Sequence, residues 1–255
     1  MSRIVLRELR TPAELQLAQD VARAAWGWQD LAIPPLADLV AVGHAGGVTA
    51  GAFEDERLLG FVHGIPRTNA GEPCQHSHML AVRPEAQGRG LSVRLKLYQK
   101  RWCLARGIRL VTWTYDPLLV KNARLNLDRL GARARTYVRD FYGPMGGIYG
   151  DLPTDRFEVE WRLDAERRAP RTPTRDLPLY DGGRPARGPV VGVEISAEAP
   201  GLYASDPAQA RAERLRFRKL AERLFARGYE AMSIRPDGTR AVYLFEKAPR
   251  GRPRR

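Results

Sequence analysis

The chain has 255 residues, 44% of them hydrophobic, and a formal net charge of +13 at pH 7. That length and apolar fraction support a folded protein of one large domain, or of a domain with an appendage. No apolar run approaches a membrane span or the core of a signal peptide, which predicts a cytoplasmic protein without membrane attachment. Two cysteines, Cys74 and Cys103, have neither disulfide-framework nor zinc-ligand spacing, so both are read as plain thiols and no metal is expected.

In chain order, residues 4–9 alternate apolar and polar and predict a first strand. Thr11, Pro12 and Glu14 supply a helix N-cap, a proline at the first position and a capping box, and the helix runs to about residue 25. Trp26-Gly27-Trp28 interrupts it, and Pro34-Pro35 opens a second, short helix to about residue 42. Residues 47–53 and 58–65 predict two strands joined by a turn at 54–57, and 66–75 reads as a polar loop. Residues 76–82, His-Ser-His-Met-Leu-Ala-Val, form the central strand, closed by Arg83-Pro84. After the turn at 87–92, Leu91, Leu95, Tyr98, Trp102 and Ala105 make the apolar stripe of a helix packed on a sheet, ended by Gly107.

A further strand follows at 110–115, then a helix from the Asp116-Pro117 turn to residue 130, stopped by Gly131. Strand, helix, strand in that order implies a parallel pair. Residues 132–141 and 155–163 predict strands around a glycine-rich loop, 143–153, which reads equally as a flap over a substrate or as an ordinary hairpin loop. Composition then changes to Pro, Arg, Gly and Asp. The expected organisation is a main domain over 1–164, a linker over 165–189, a βαββ extension over 190–248 and a disordered basic tail over 249–255. In the extension, Asp206 caps a helix opened by Pro207, with an apolar face of Leu215, Phe217, Leu220, Leu224 and Phe225, and a hairpin turns at Pro236-Asp237-Gly238.

Two local patterns carry chemistry. Gly88 and Gly90 allow the backbone to come close to a bulky anion, and the unpaired N–H groups of the following helical turn point along the positive end of its dipole. This makes a pyrophosphate cradle, although the same glycines also serve a tight strand-to-helix connection. The turn lacks the Lys-Ser or Lys-Thr of a P-loop, and Val93 stands where a dinucleotide fingerprint has its third glycine. His76 and His78, two apart on a strand, share a face. A histidine near its ordinary pKa suits removal of a proton from an amine nucleophile. The alternative is a pair of buried, hydrogen-bonded histidines in the sheet.

Gln-x-x-Gly-x-Ser at 87–92, after a strand ending Leu-Ala-Val-x-Pro-Glu, resembles the coenzyme A signature of the GNAT superfamily of N-acyltransferases, Arg/Gln-x-x-Gly-x-Gly/Ala, with Ser92 in place of the last small residue. The resemblance covers roughly residues 4–163. It implies an α/β fold with a central mixed sheet flanked by helices, in which strands 76–82 and 110–115 splay apart around the pantetheine arm. The coenzyme contacts it implies are Leu80, Ala81, Val82, Gln87, Gly88, Arg89, Gly90, Leu91, Ser92 and Asn122. The central strand also looks like the His-x-His-x-Leu-Ala-Val strand of the arylalkylamine N-acetyltransferases, whose two histidines serve as base through ordered water, so His76 and His78 are the catalytic candidates.

The family's general-acid tyrosine, four residues before the glycine that ends the helix, corresponds to Leu127. Its asparagine three residues before Ala123 corresponds to Val120, with Asn122 and Asn126 displaced from the pattern. Tyr115, Tyr137 and Tyr142 are other sources of a proton, and Tyr142 is carried forward as the candidate acid. The implied enzyme moves an acetyl group, or a dicarboxylic one such as succinyl, from acyl-CoA to the amine of a small molecule such as an amino acid or aryl amine, without metal or further cofactor. Trp26, Trp28, Tyr142 and Tyr149 are candidate pocket walls. The rival is an acyl-CoA-binding scaffold that turns its basic charge on nucleic acid or a protein partner. The arginines are interleaved with acids rather than gathered in a stripe, so nucleic acid is not the expected partner. The acceptor, and whether the chain forms a homodimer, are left open by the sequence.

Overall fold

Thr11 caps the first helix as its sequence predicts. Its hydroxyl accepts from the Glu14 N–H at 3.2 Å, while the Glu14 carboxylate accepts from the N–H groups of Arg10 and Thr11 at 2.8 and 3.1 Å. The computed structural model describes residues 3–27, 33–143, 150–165 and 177–248. Trp28, Tyr149, residues 144–149 of the glycine-rich loop and the 249–255 tail lie outside the described residues. The chain divides into two compact units, Met1–Trp113 with Arg162–Ala165, and Thr114–Trp161 with Glu166–Arg255.

The first unit contains β1 (Ile4–Glu8), α1 (Pro12–Trp26), α2 (Leu36–His44), β2 (Val48–Glu54), β3 (Arg57–Asn69), β4 (Glu72–Val82), α3 (Leu91–Leu104) and most of β5 (Leu110–Tyr115). Strands β1 to β4 form an antiparallel meander and β5 joins β4 in parallel, so this is the mixed, helix-flanked α/β sheet that the sequence predicts. One core lies between the sheet and α1 and α2, with Leu15, Ala18, Val21, Leu39, Phe61, Met79 and Ala81 buried in it and Trp26 packed at its margin. Helix α3 packs on β2, β3 and β4.

Two stretches of this unit differ from the sequence expectation. The polar stretch 66–75 is not a loop but the outer part of a hairpin, paired down to Asn69↔Glu72 and turned at Ala70 and Gly71, both with positive φ. Its side chains are mostly exposed, so polarity there reports solvent contact while the backbone remains in the ladder. On α3, Ala105 lies past the helix end and is exposed, and the buried face includes Lys96, Gln99 and Cys103. Polar groups fit that face because polar partners on β4 await them.

The second unit contains β6 (Arg133–Val138), β7 (Arg156–Arg162), β8 (Val190–Ser196), β9 (Tyr229–Asp237) and β10 (Arg240–Lys247), in the order β7-β6-β9-β10-β8. The helix expected from 117 to 130 is short: α4 (Val120–Ala123) passes into a π-helix, Arg124–Arg129, in which the Leu130 N–H reaches back five residues to the Leu125 carbonyl at 3.0 Å. A short helix that the sequence did not announce, α5 (Ala199–Ser205), precedes α6 (Pro207–Ala226), and the Asp206 cap is present, accepting from the Gln209 N–H at 2.9 Å. Phe157 is the hub of this core, with Tyr115, Tyr137, Phe217, Phe225, Tyr243 and Phe245 around it at ring separations of 5.2 to 6.4 Å. Part of the stretch read as a linker packs here too, since buried Tyr180 donates its N–H to the Gly192 carbonyl at 2.8 Å. Among the described residues no helix is long and apolar enough to cross a membrane.

Candidate active site

The chain leaves β4 through a 3-10 turn, Pro84–Ala86, and enters α3 across Gln87, Gly88, Arg89 and Gly90. Gly88 and Gly90 have φ of +81° and +73°, a conformation that only glycine takes without strain. Gly90 is the N-cap of α3 and offers no side-chain acceptor, so the N–H groups of the first helical turn face outward from an exposed loop. A Cβ built on either glycine meets nothing within 4 Å, so the space in front of the turn is open. Arg89 is tied to Glu54 at 2.5 Å on the rim. A diphosphate suits this turn in shape and in charge.

The parallel ladder between β4 and β5 runs from Cys74↔Leu110 to His76↔Thr112, and β4 continues beyond it to Val82. The two strands therefore part at His76. Leu80, Ala81 and Val82 lie on the continuing stretch that leads to the glycine turn.

Across β3 the register passes from His63↔Met79 to Gly64↔Ser77, which leaves His78 as the extra residue of a β-bulge. A bulge re-aims a side chain. Here it leaves His78 exposed while its neighbours Ser77 and Met79 are buried. The His76 and His78 rings are 6.1 Å apart, so the sequence expectation of a shared face holds. A third imidazole, His63, lies 6.4 Å from His78 and is held by Thr49, Nδ1 to Oγ1 at 2.8 Å. Burial lowers the pKa of all three rings. It brings His63 and His76 down to about 4, with the neighbouring His78 and, for His76, also Arg67 and Lys96 acting in the same direction. His78 is exposed on one side but partly shielded by the protein around it, and that desolvation is the one cause of its downward shift. His76 and His78 thus both lie below the ordinary histidine pKa expected from sequence. All three are neutral at pH 7, and of the three His78 is the exposed one, reachable by an amine.

His63 is not among the residues expected from sequence, although an ionisable residue inside the apolar run Leu-Gly-Phe-Val-His-Gly is a usable signal. Nor is the network behind β4. The buried Lys96 amine donates to Ser77 Oγ at 2.7 Å and Gln99 Oε1 at 3.1 Å, and lies 3.7 Å from the centroid of the Trp113 ring. Burial takes this amine down to about 7. Gln99 continues the chain to Gln75 Oε1 at 2.6 Å. Cys74 and Cys103 are buried and outside any disulfide, and burial raises the Cys103 thiol to about 12, which keeps it in the thiol form.

The remaining candidates belong to the second unit. Asn122 is exposed on α4. Tyr115 is fully buried with its hydroxyl 3.4 Å from that of Tyr243, and Tyr137 donates to Asp155 at 2.6 Å; burial raises the pKa of both, so neither is a ready proton donor. Tyr142 is 45% exposed, edge-on to Phe141 at 4.7 Å. Leu127, at the family's tyrosine position, is buried.

Residues 7–125 match the sequence model of the Acetyltransferase (GNAT) family. No curated protein matches the chain significantly. Among solved structures the fold is similar to a GNAT-family protein from Desulfovibrio desulfuricans, at 20% identity and TM-score 0.53, covering 63% of this chain and 99% of that one. It is also similar to the ribosomal-protein-S18-alanine N-acetyltransferase from Escherichia coli, at 15% identity and TM-score 0.51, covering 64% and 96% of the two chains. A third likeness is to yncA from Salmonella typhimurium, solved with its cofactor acetyl-CoA, at 17% identity and TM-score 0.52, covering 67% and 100%. At these identities the structures speak for the fold, and the sequence match speaks for the family. Residues 7–125 of this chain thus belong to an acetyltransferase domain of the GNAT family.

Proposed function

We propose that the protein transfers an acetyl group from acetyl-CoA directly to the amine of a small molecule. The observation that carries this reading is the layout of β4: its bulged residue His78 stands just past the rung where β4 leaves β5, and its far end runs into the open glycine turn. Acetyl-CoA, when bound, supplies an activated thioester. The turn at 87–92 would hold its pyrophosphate on backbone N–H groups, and Leu80, Ala81 and Val82 would offer main-chain groups to the pantetheine arm. Asn122 is the remaining proposed coenzyme contact. The solved yncA complex with acetyl-CoA supports this choice of co-substrate.

His78, exposed and neutral, accepts the proton that the acceptor amine gives up as its nitrogen bonds to the acyl carbon, directly or through water, and His76 stands behind it. The carbon–sulfur bond then breaks, and a thiolate is a tolerable leaving group without an acid. Tyr142 is the proposed acid where one is used. Amino acids and aryl amines are the proposed acceptors, and succinyl is the alternative acyl group. In this reading residues 1–164 form the catalytic domain and 190–248 an extension to it.

A second reading, an acyl-CoA-binding protein with little turnover, is favoured by the buried Leu127 where the family has its acid. One experiment separates the two. Incubation with labelled acetyl-CoA and succinyl-CoA against a panel of amino acids and aryl amines should give label on an amine. Binding of the coenzyme with no transfer to any acceptor would favour the second reading instead.

A further inference from the structure

The fork between β4 and β5 has two faces, and they differ in kind. On one are His76 and His78. On the other, the first residues past the last rung, Ser77 on β4 and Trp113 on β5, are both buried, and a single side chain from α3 touches both of them. That side chain is Lys96, only 2% exposed, with Nζ 2.7 Å from Ser77 Oγ and 3.7 Å from the Trp113 ring centroid. Gln99 braces it by accepting from both the amine and the Ser77 hydroxyl, at 3.1 and 3.0 Å.

A ligand anchored at the glycine turn and lying along β4 travels toward this fork. From Val82 to Ser77 the strand spans about 17 Å at 3.3 to 3.4 Å per residue. The chain at the end of such a ligand meets the His76↔Thr112 rung ahead of it and the Lys96–Trp113 pair to one side. Only the histidine face is left, and the acceptor amine has to arrive there.

We propose that Trp113 and Lys96 close the blind end of the β4–β5 cleft and so restrict the acyl chain to acetyl or propionyl. The inference rests on the acyl-CoA reading above, adds chain length to it, and selects acetyl over the longer succinyl alternative. Trp113 sets the wall. Lys96 holds it in place by bridging the two strands, and extra methylenes have no space without displacing a packed indole.

The test is calorimetric titration of the full-length protein with coenzyme A, acetyl-CoA, propionyl-CoA, butyryl-CoA and hexanoyl-CoA. Acetyl- and propionyl-CoA should bind alike, and hexanoyl-CoA about tenfold or more weaker, the scale of forcing bulk into a filled site. Trp113→Ala should recover most of that loss for hexanoyl-CoA while leaving acetyl-CoA affinity within a few-fold. Lys96→Met, which keeps the volume and removes the bridge, should relax the limit in part, and it serves if Trp113→Ala does not fold. Equal binding of hexanoyl- and acetyl-CoA by the wild type would overturn the proposal and leave the acyl-CoA reading standing. So would a wild-type preference that neither variant relaxes. Failure of coenzyme A itself to bind would strike the reading beneath it.

Discussion

His63 Nδ1 lies 2.8 Å from Thr49 Oγ1, so the innermost imidazole of the cluster is fixed by a side chain on the neighbouring strand. This ring is 2% exposed, and its pKa falls from 6.5 to about 4 because burial disfavours the imidazolium and His78 adds to the effect.

The first prediction is an acid-sensitive fold. Between pH 6.5 and 4 the unfolded chain takes up a proton at His63 and another at His76, while the native state does not. Stability should therefore drop as pH falls through that window and level off below it, by about 3 kcal/mol for the well-buried His63. Glu14, held down to about 2 by hydrogen bonds from the Arg10 backbone first and from Arg7 and Thr11, loses its contribution in a lower window, from 4.5 to 2. Urea midpoints measured across pH should show the upper step in the wild type and a shallower one in His63→Gln. An unchanged slope would mean that the buried ring titrates normally.

His78→Gln should lower turnover by about a hundred- to ten-thousand-fold with coenzyme A affinity kept. Because the His78 pKa is lowered, the acidic limb of the wild-type profile should lie below 6.5, and it should flatten in the variant. Near-normal turnover with the same profile would make His78 structural and send the proton through His76, water or the substrate.

In the second unit, Arg214 is fully buried and grips Asp116 through both carboxylate oxygens at 2.8 and 3.2 Å, with the Tyr203 hydroxyl 2.7 Å from its guanidinium. Arg214→Ala leaves that carboxylate buried without its main cation, and it should cost about 3 to 5 kcal/mol in urea unfolding. The paired change Asp116→Asn with Arg214→Met should cost less than the single one. A loss under about 1 kcal/mol for Arg214→Ala would show the pair to be dispensable.

The elements and the glycine turn were legible because they depend on local signals: Thr11 and Glu14 at a helix start, alternation in the strands, and glycines where φ is positive. What was not legible depends on partners distant in sequence. That His78 is a bulge follows from its register against β3, and one extra residue leaves no mark on the pattern of β4 itself. Lys96 reads as a surface lysine until Ser77 and Gln99 are seen to accept its protons. Arg214 likewise sits in an arginine-rich helix, and only Asp116, 98 residues earlier, distinguishes it from its neighbours.

The glycine turn is where the account is most exposed to test, by isothermal titration of coenzyme A into the wild type, Gly88→Asp and Gly90→Asp. Each aspartate sets a carboxylate against the site of the pyrophosphate, and like charges brought together cost several kcal/mol, so affinity should fall about a hundredfold or more while thermal unfolding shows the fold retained. Gly90→Ala, which strains the backbone without adding charge, should keep more of the affinity than Gly90→Asp. The wild type should bind coenzyme A, and that binding should collapse in both aspartate variants. Undiminished binding in those variants, or none in the wild type, would contradict the account.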